Sequence, residues 1–231
     1  MPTAPFSPGA WCDAIVFDMD GTIADTETLL FDAWSSVWAE HGATLDRSDW
    51  AANVGTRRLD DPVAMLATAI GRSWTAAEAE AIHADQQSRY AHAIDTMVAR
   101  DGVVGWIRDA QAGGYPLAVS SSSARAKVLH KLEAVGLSDA FPVVVGFDEV
   151  GDRPKPDPAS YIEACRRLGA LSTRCLAVED SPNGVAAAVS AGLRTVVCPG
   201  PMTIDADVSR AQLRIASFLD MTLATTITAL A

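Results

Sequence analysis

Five short apolar runs, most of them separated by a helix-like stretch closed by glycine, constrain this chain more tightly than any other feature. The runs are Ala14 to Phe17, Leu117 to Val119, Val143 to Val145, Cys175 to Val178 and Thr195 to Cys198. They are rich in Val, Ile and Leu without strict alternation, the pattern of strands buried on both faces. The stretches Val103 to Ala112, Ala124 to Val135, Pro158 to Leu168 and Val185 to Ala191 read as helices. They stop at Gly113-Gly114, Gly136, Gly169 and Gly192. Glycine just past a helix supplies the left-handed residue that closes the last turn. Strand, helix, glycine, strand predicts right-handed crossovers in a parallel sheet. The expected fold class is therefore α/β, a Rossmann-like parallel sheet with helices on both faces. Leu213 to Leu230 reads as a short final strand and a helix.

One interval breaks the pattern. From about Thr26 to Arg100 no strand is evident. Trp34, Val37, Trp38 and His41 fall on one face of a first helix. Thr75-Ala76-Ala77-Glu78 forms a capping box for a helix that can run to Ile94. This predicts a small all-helical cap domain, residues 25–100, inserted after the first strand of a core made of residues 1–24 and 101–231. An insert there leaves the carboxyl ends of the strands, where ligands bind in parallel sheets. Gly102 is the expected hinge.

The chain has 231 residues, 49% hydrophobic and 20% charged, so it can build a core and is not a disordered segment. Its formal charge of −11 argues against a nucleic-acid or anionic-membrane partner, both of which need a basic face. A small phosphorylated metabolite, held by a few local donors, is compatible with it, in a monomer or homodimer. No apolar run reaches the length of a membrane span, and the first residues carry no signal-like positive charge, so the expected location is cytoplasmic. The four cysteines lack metal-ligand spacing and read as reduced thiols. The four histidines likewise read as ordinary surface or boundary residues.

Chemistry concentrates where strands end. In Ile15-Val16-Phe17-Asp18-Met19-Asp20-Gly21-Thr22 an apolar strand runs into two carboxylates two residues apart. Extended backbone starts both side chains toward the same side, and glycine lets the chain turn. Carboxylates so close repel, and a divalent cation is the natural partner. A polar turn or a calcium loop are the alternatives; the latter wants further oxygens where Met19 and Ile23 stand. Lys155, Ser120 and the pair Glu179-Asp180 each have a plain reading in isolation: loop charge, helix cap, helix-start acid pair. Ser122 or Ser123 is expected to cap the helix that follows, and Asp157-Pro158 reads as a helix start.

Taken in order, these segments resemble the haloacid dehalogenase superfamily. Asp18 to Glu27 is similar to its first motif in the form of the Mg-dependent phosphatases and β-phosphoglucomutase. Leu117-Ala118-Val119-Ser120 resembles the second, Lys155-Pro156-Asp157-Pro158 the third, and Val178-Glu179-Asp180-Ser181 with Asn183-Gly184 the fourth. The helical insert is similar to the cap of the β-phosphoglucomutase and phosphoglycolate phosphatase branch. The resemblance implies Asp18 as nucleophile, forming an aspartyl-phosphate, and Asp20 as acid and base. It implies Mg²⁺ held by the Asp18 carboxylate, the Asp20 backbone carbonyl and Asp180, with Glu179 as ligand or supporting partner. Lys155 would offset the charge on Asp18 and the phosphate. Ser120 would donate its hydroxyl to a phosphate oxygen, helped by backbone N–H groups of Ser121, Met19 and Asp20.

Substrate choice is expected in the insert, where Arg57 or Arg58 would reach the distal part of the substrate. The mutase branch carries a histidine on the first cap helix, where Leu30 stands here. It also carries a cap lysine, where Gln86 is nearest. Both departures favour a phosphatase acting on a sugar phosphate or phosphoglycolate-like monoester over a phosphosugar mutase. A dehalogenase lacks the second aspartate, and a decayed binding module would have lost core positions.

Overall fold

The computed structural model describes residues 11–51 and 61–231. Six parallel strands form one sheet in the order β3-β2-β1-β4-β5-β6. They are β1 (Ala14–Phe17), β2 (Leu117–Ser120), β3 (Val143–Val145), β4 (Cys175–Glu179), β5 (Arg194–Val197) and β6 (Leu213–Arg214). The five apolar runs are all strands, with β2 and β4 one residue longer than expected and β5 starting one residue earlier.

The pleat of β1 divides the core. Ile15 and Phe17 face one side with Val119, Val178 and Leu132; Ala14 and Val16 face the other with Ala177, Tyr161 and Ala188. Helices α5 (Val103–Ala112), α6 (Arg125–Ala134) and α9 (Leu223–Ala229) contribute to the first side. Helices α7 (Ala159–Leu168) and α8 (Pro182–Ser190) contribute to the second. Strand β1 is central, with β2 and β4 at its flanks in register, Phe17 opposite both Val119 and Val178. The chain steps from β1 outward through β2 to β3 and then crosses back to β4 on the other side of β1, and the sheet's ligand crevice lies at such a switch point.

Between β1 and α5 the described residues contain helices and no strand: α1 (Thr26–Glu40), α2 (Arg47–Ala51), α3 (Pro62–Ile70) and α4 (Ala76–Asp95). Trp34, Val37 and Trp38 are buried, as their spacing requires, in a cluster with Trp50, Leu66 and Ile82 that is separate from the sheet's core. Helix α4 opens with the expected capping box, Thr75 accepting from Glu78 N–H at 3.3 Å and Glu78 accepting from Thr75 N–H at 2.8 Å. Arg57 and Arg58 lie outside the described residues.

The return crossing is held firmly. Arg100 donates to the carbonyls of Gly21 at 2.5 Å, Cys198 at 2.8 Å and Pro199 at 3.0 Å, and its backbone N–H to Ile23 at 2.8 Å. Gly102 has φ +84°, and a Cβ there would come within 2.9 Å of Phe218. The four cysteines are free and buried. No helix among the described residues is long and apolar enough to cross a membrane.

Candidate active site

The carboxyl ends of β1, β2 and β4 open into a cleft of about 670 Å³ roofed by the helical insert. Asp18 follows β1 directly and is held in line by its N–H, which donates to Val178 O at 2.9 Å. Lys155, at the loop before α7, reaches across to it. Its Nζ lies 2.5 Å from Asp18 Oδ1 and 2.6 Å from Glu179 Oε1, and all three residues are buried. Glu179 is fully committed to protein donors. Its Oε1 also accepts from Tyr161 O–H at 2.7 Å, and its Oε2 accepts from Asp180 N–H at 3.0 Å and from Ser181. The start of α8 closes over it, since a Cβ at Gly184 would fall 1.9 Å from Glu179 Oε1.

Two buried oxygens beside this network have no partner, Asp18 Oδ2 and Asp180 Oδ1. Asp18, Glu179 and Asp180 can each bring a carboxylate oxygen within 4.8 Å of the others. Burial pushes the Asp18 carboxyl up to about 8, Lys155 opposing and Glu179 and Asp20 adding to the rise. Burial likewise holds Asp180 well above the usual carboxylate range. The cluster is short of positive charge, and its bare oxygens suit a hard, oxygen-loving cation such as Mg²⁺. Gly21, at φ +90°, keeps the space open, because a Cβ there would stand 2.2 Å from Asp180 Oδ2.

Asp20 sits in a different setting. Its Oδ1 accepts from Thr26 Oγ1 at 2.6 Å and from the Lys131 ammonium; its Oδ2 accepts from Ser123 Oγ at 2.8 Å and Ser121 Oγ at 3.3 Å. Burial alone would raise this carboxyl, but Lys131 and the hydroxyls outweigh it and hold it down at about 2. The serine run thus has a purpose other than the expected cap. Helix α6 is preceded by Ala124 with no side-chain cap. Instead Asp148 accepts from Arg125 N–H at 2.9 Å, Ser123 serves Asp20, and Ser122 accepts from Lys155 N–H at 3.1 Å.

The structure therefore brings together Asp18, Asp20, Ser121, Lys155, Glu179 and Asp180. It does not bring Ser120 with them. As the last residue of β2 its side chain points to the opposite face of the pleat from Ser121, and its hydroxyl donates to Ser160 Oγ at 2.9 Å, fully buried. The expectation that Ser120 offers its hydroxyl at the site is corrected: the serine hydroxyls that reach it are those of Ser121 and Ser123, and they donate to Asp20. Leu30 and Gln86, expected from the sequence to distinguish the insert from the mutase pattern, both line the cleft.

Lys131, Glu27 and Tyr90 also line the cleft and were not singled out from the sequence. Lys131 had a signal. It falls in the apolar row Val128, Lys131, Leu132 of α6, where a lysine has no reason to be unless something anionic meets it. Burial pushes Glu27 up to about 7, helped by the charge on Asp20.

Comparisons with known proteins point to one family. A family model described as haloacid dehalogenase-like hydrolase matches residues 12–192. YhcW of Bacillus subtilis (strain 168), a protein named as a phosphatase, is 34% identical over 82% of this chain and 84% of its own. CbbY of Rhodobacter capsulatus is 32% identical over 87% of this chain and 92% of its own. Among solved structures, a CbbY mutant from Rhodobacter sphaeroides in complex with xylulose-(1,5)bisphosphate superposes with a TM-score of 0.76. It is 28% identical and covers 92% of this chain and 98% of its own. With the motif residues converging at one sheet edge and a family match spanning most of its length, this chain belongs to the haloacid dehalogenase-like hydrolases.

Proposed function

We propose that the protein is a Mg²⁺-dependent phosphatase that hydrolyses a small phosphorylated metabolite, a phosphate monoester of the sugar-phosphate kind, through an aspartyl-phosphate on Asp18. The observation that carries this reading is the asymmetry of Asp18. One oxygen is held by Lys155 at 2.5 Å, and the other is buried and bare. A carboxylate so arranged is aimed, partly neutralised and unspent, as an in-line nucleophile requires.

The chain's own residues support each step. Asp18 Oδ2 forms the new bond to phosphorus as the bond to the leaving oxygen breaks, and Asp20 supplies that oxygen with a proton. Water then attacks phosphorus, the bond to Asp18 breaks, and Asp20 takes the water's proton. Lys155 stays charged, because Asp18 and Glu179 more than reverse the effect of its burial, and so offsets the charge gathering on Asp18 and the phosphoryl group. Glu179 spends its oxygens on Lys155, Tyr161 and the start of α8, and so fixes the ammonium. The carboxylates of Asp18 and Asp180, with the Asp20 backbone carbonyl, are the groups that would hold Mg²⁺. When bound, the ion neutralises part of the phosphoryl charge and orients its oxygens.

The insert supports a polyhydroxylated leaving group. Gln86 Nε2 and Trp50 Nε1 are buried donors without partners, and both residues line the cleft. Glu27 adds an acceptor on the same wall. A buried donor left unpaired is costly, and a substrate hydroxyl or carbonyl would satisfy it. A relative from Thermotoga maritima is named phosphorylated carbohydrates phosphatase. Leu30 and Gln86 offer no base or ammonium at the positions the mutase branch uses, which favours transfer to water. The insert's position over the cleft suits a cap that closes on substrate and excludes bulk water.

The test is a screen of phosphate monoesters with Mg²⁺, with and without chelator, for released inorganic phosphate and for isomerised sugar phosphate. Phosphate release from sugar phosphates, lost on chelation, is the expected result. Isomerisation without phosphate release, or hydrolysis indifferent to the chelator, would overturn the reading.

A further inference from the structure

Asp20 has one neighbour that phosphoryl transfer does not itself call for. Lys131 comes from α6, 111 residues away in sequence, and is 6% exposed. It shares an apolar row with Val128 and Leu132, where a methionine or leucine would complete the packing without burying a charge. Its ammonium donates to Asp20 Oδ1. It also faces the insert, where the Tyr90 phenol of α4 meets it and the charge of the Glu27 carboxyl of α1 acts on it. The three hydroxyls that share Asp20, those of Thr26, Ser121 and Ser123, can turn and either donate or accept. An ammonium has donors only. Lys131 is the one fixed charge among these partners, and it holds the oxygen as an acceptor.

We propose that Lys131 is a positioning residue for the second half of the reaction, holding the Asp20 carboxylate where it accepts the proton of the water that hydrolyses the phosphoenzyme. The inference rests on the phosphatase reading above. In this step the water oxygen bonds to phosphorus and the bond from phosphorus to Asp18 breaks, its electron pair returning to the Asp18 carboxylate. The water's proton goes to Asp20 and from there to solvent. Because Tyr90 meets the same ammonium from the insert, the seating of α4 on the core and the placement of Asp20 share one contact.

Para-nitrophenyl phosphate isolates that half, since its leaving group departs without a proton. With Mg²⁺ and rapid mixing, Lys131→Met is expected to release one equivalent of nitrophenolate in a burst. It should then turn over roughly 10²-fold more slowly than the unmodified protein, in line with the cost of misplacing a catalytic group. Acid quenching should trap the accumulated phosphoenzyme. Lys131→Arg, which keeps the charge and has a better chance of preserving the fold, should show the same burst with a smaller loss. Adding Lys131→Met to Asp20→Asn should slow the second half no further. Loss of burst and steady state together, or losses that multiply in the double variant, would make Lys131 merely structural. An active unmodified protein with unchanged Lys131 variants overturns this inference alone. An unmodified protein that hydrolyses no phosphate ester overturns the phosphatase reading, and this inference with it.

Discussion

Asp18 and Asp20 stand two residues apart on one strand end, yet the molecule builds opposite surroundings for them. On the β4 and α7 side, Asp18 shares a single ammonium with Glu179 and keeps one oxygen bare, and burial drives its carboxyl up to about 8. On the α1 and α6 side, Asp20 accepts from four side-chain donors and is held down at about 2. The first setting has one ammonium for three carboxylates and invites a cation and a phosphoryl group. The second is fully satisfied and holds Asp20 as a placed carboxylate, ready to accept a proton. Adjacency in sequence supplied the pair; elements distant in sequence separated their tasks.

The comparison is broken most severely by exchanging the acids themselves. Asp18→Asn should cost at least about 10⁴-fold in turnover on every ester, as loss of a nucleophile does. Asp20→Asn should cost roughly 10²- to 10⁴-fold on alkyl phosphates and less on para-nitrophenyl phosphate, where no proton is needed at the leaving oxygen. Steady-state rates on a series of leaving groups check both. Equal slopes for the two variants would mean that the two settings do not divide the chemistry.

The first setting was legible in the sequence because each of its parts ends a strand or begins a helix. Asp18, Lys155, Glu179 and Asp180 could be placed at one edge because the apolar runs read as strands of one parallel sheet and the ordered motifs resemble a known family. Ser120 shows where that reasoning stops. It named the residue that ends the strand, but the pleat turns that side chain away and presents Ser121 instead. The second setting was largely illegible. Lys131 meets Asp20 from α6, and Tyr90 meets Lys131 from α4, contacts made by helix packing that no local pattern encodes. Ser122 or Ser123 reads as a helix cap because free backbone N–H groups follow them, whereas here Asp20 takes the Ser123 hydroxyl and Ser122 accepts from Lys155 N–H. The boundaries of α5 followed from its glycine, while those of β5 shifted by one residue, since an apolar run marks burial rather than pairing.

A smaller effect sharpens the comparison by testing how far Asp18 depends on its one ammonium. Lys155→Met leaves Asp18 and Glu179 facing each other, both fully desolvated, with no counter-charge. Removing one partner of a buried ion pair costs about 3–5 kcal/mol, and chemical denaturation in chelator should show a loss of that order. Added Mg²⁺ should recover more stability in this variant than in the unmodified protein, because the anionic cluster has gained an unmet charge. Equal recovery in the two proteins would mean that the cation does not settle beside Asp18.

The smallest effect concerns Glu27, a further acid on the cleft wall, whose carboxyl burial raises to about 7 from an ordinary value of 4.5. The folded protein therefore holds this proton more tightly than the unfolded chain does. Below pH 4.5 both states are protonated and Glu27 imposes no penalty. As pH rises from 4.5 to 7 the unfolded chain ionises first, so stability falls across that window, and above 7 the penalty is constant. Glu27 is only half-buried by its exposed surface, so the penalty is about 2 kcal/mol rather than the full shift. Glu27→Gln in metal-free buffer should then melt several degrees higher than the unmodified protein at pH 8 and within about a degree of it at pH 4.5. The difference belongs to Glu27 itself only if it follows this window. A gain of equal size at both pH values would come from packing, and the like charges of Asp20 and Glu27 would then be too well separated by Lys131 to oppose each other.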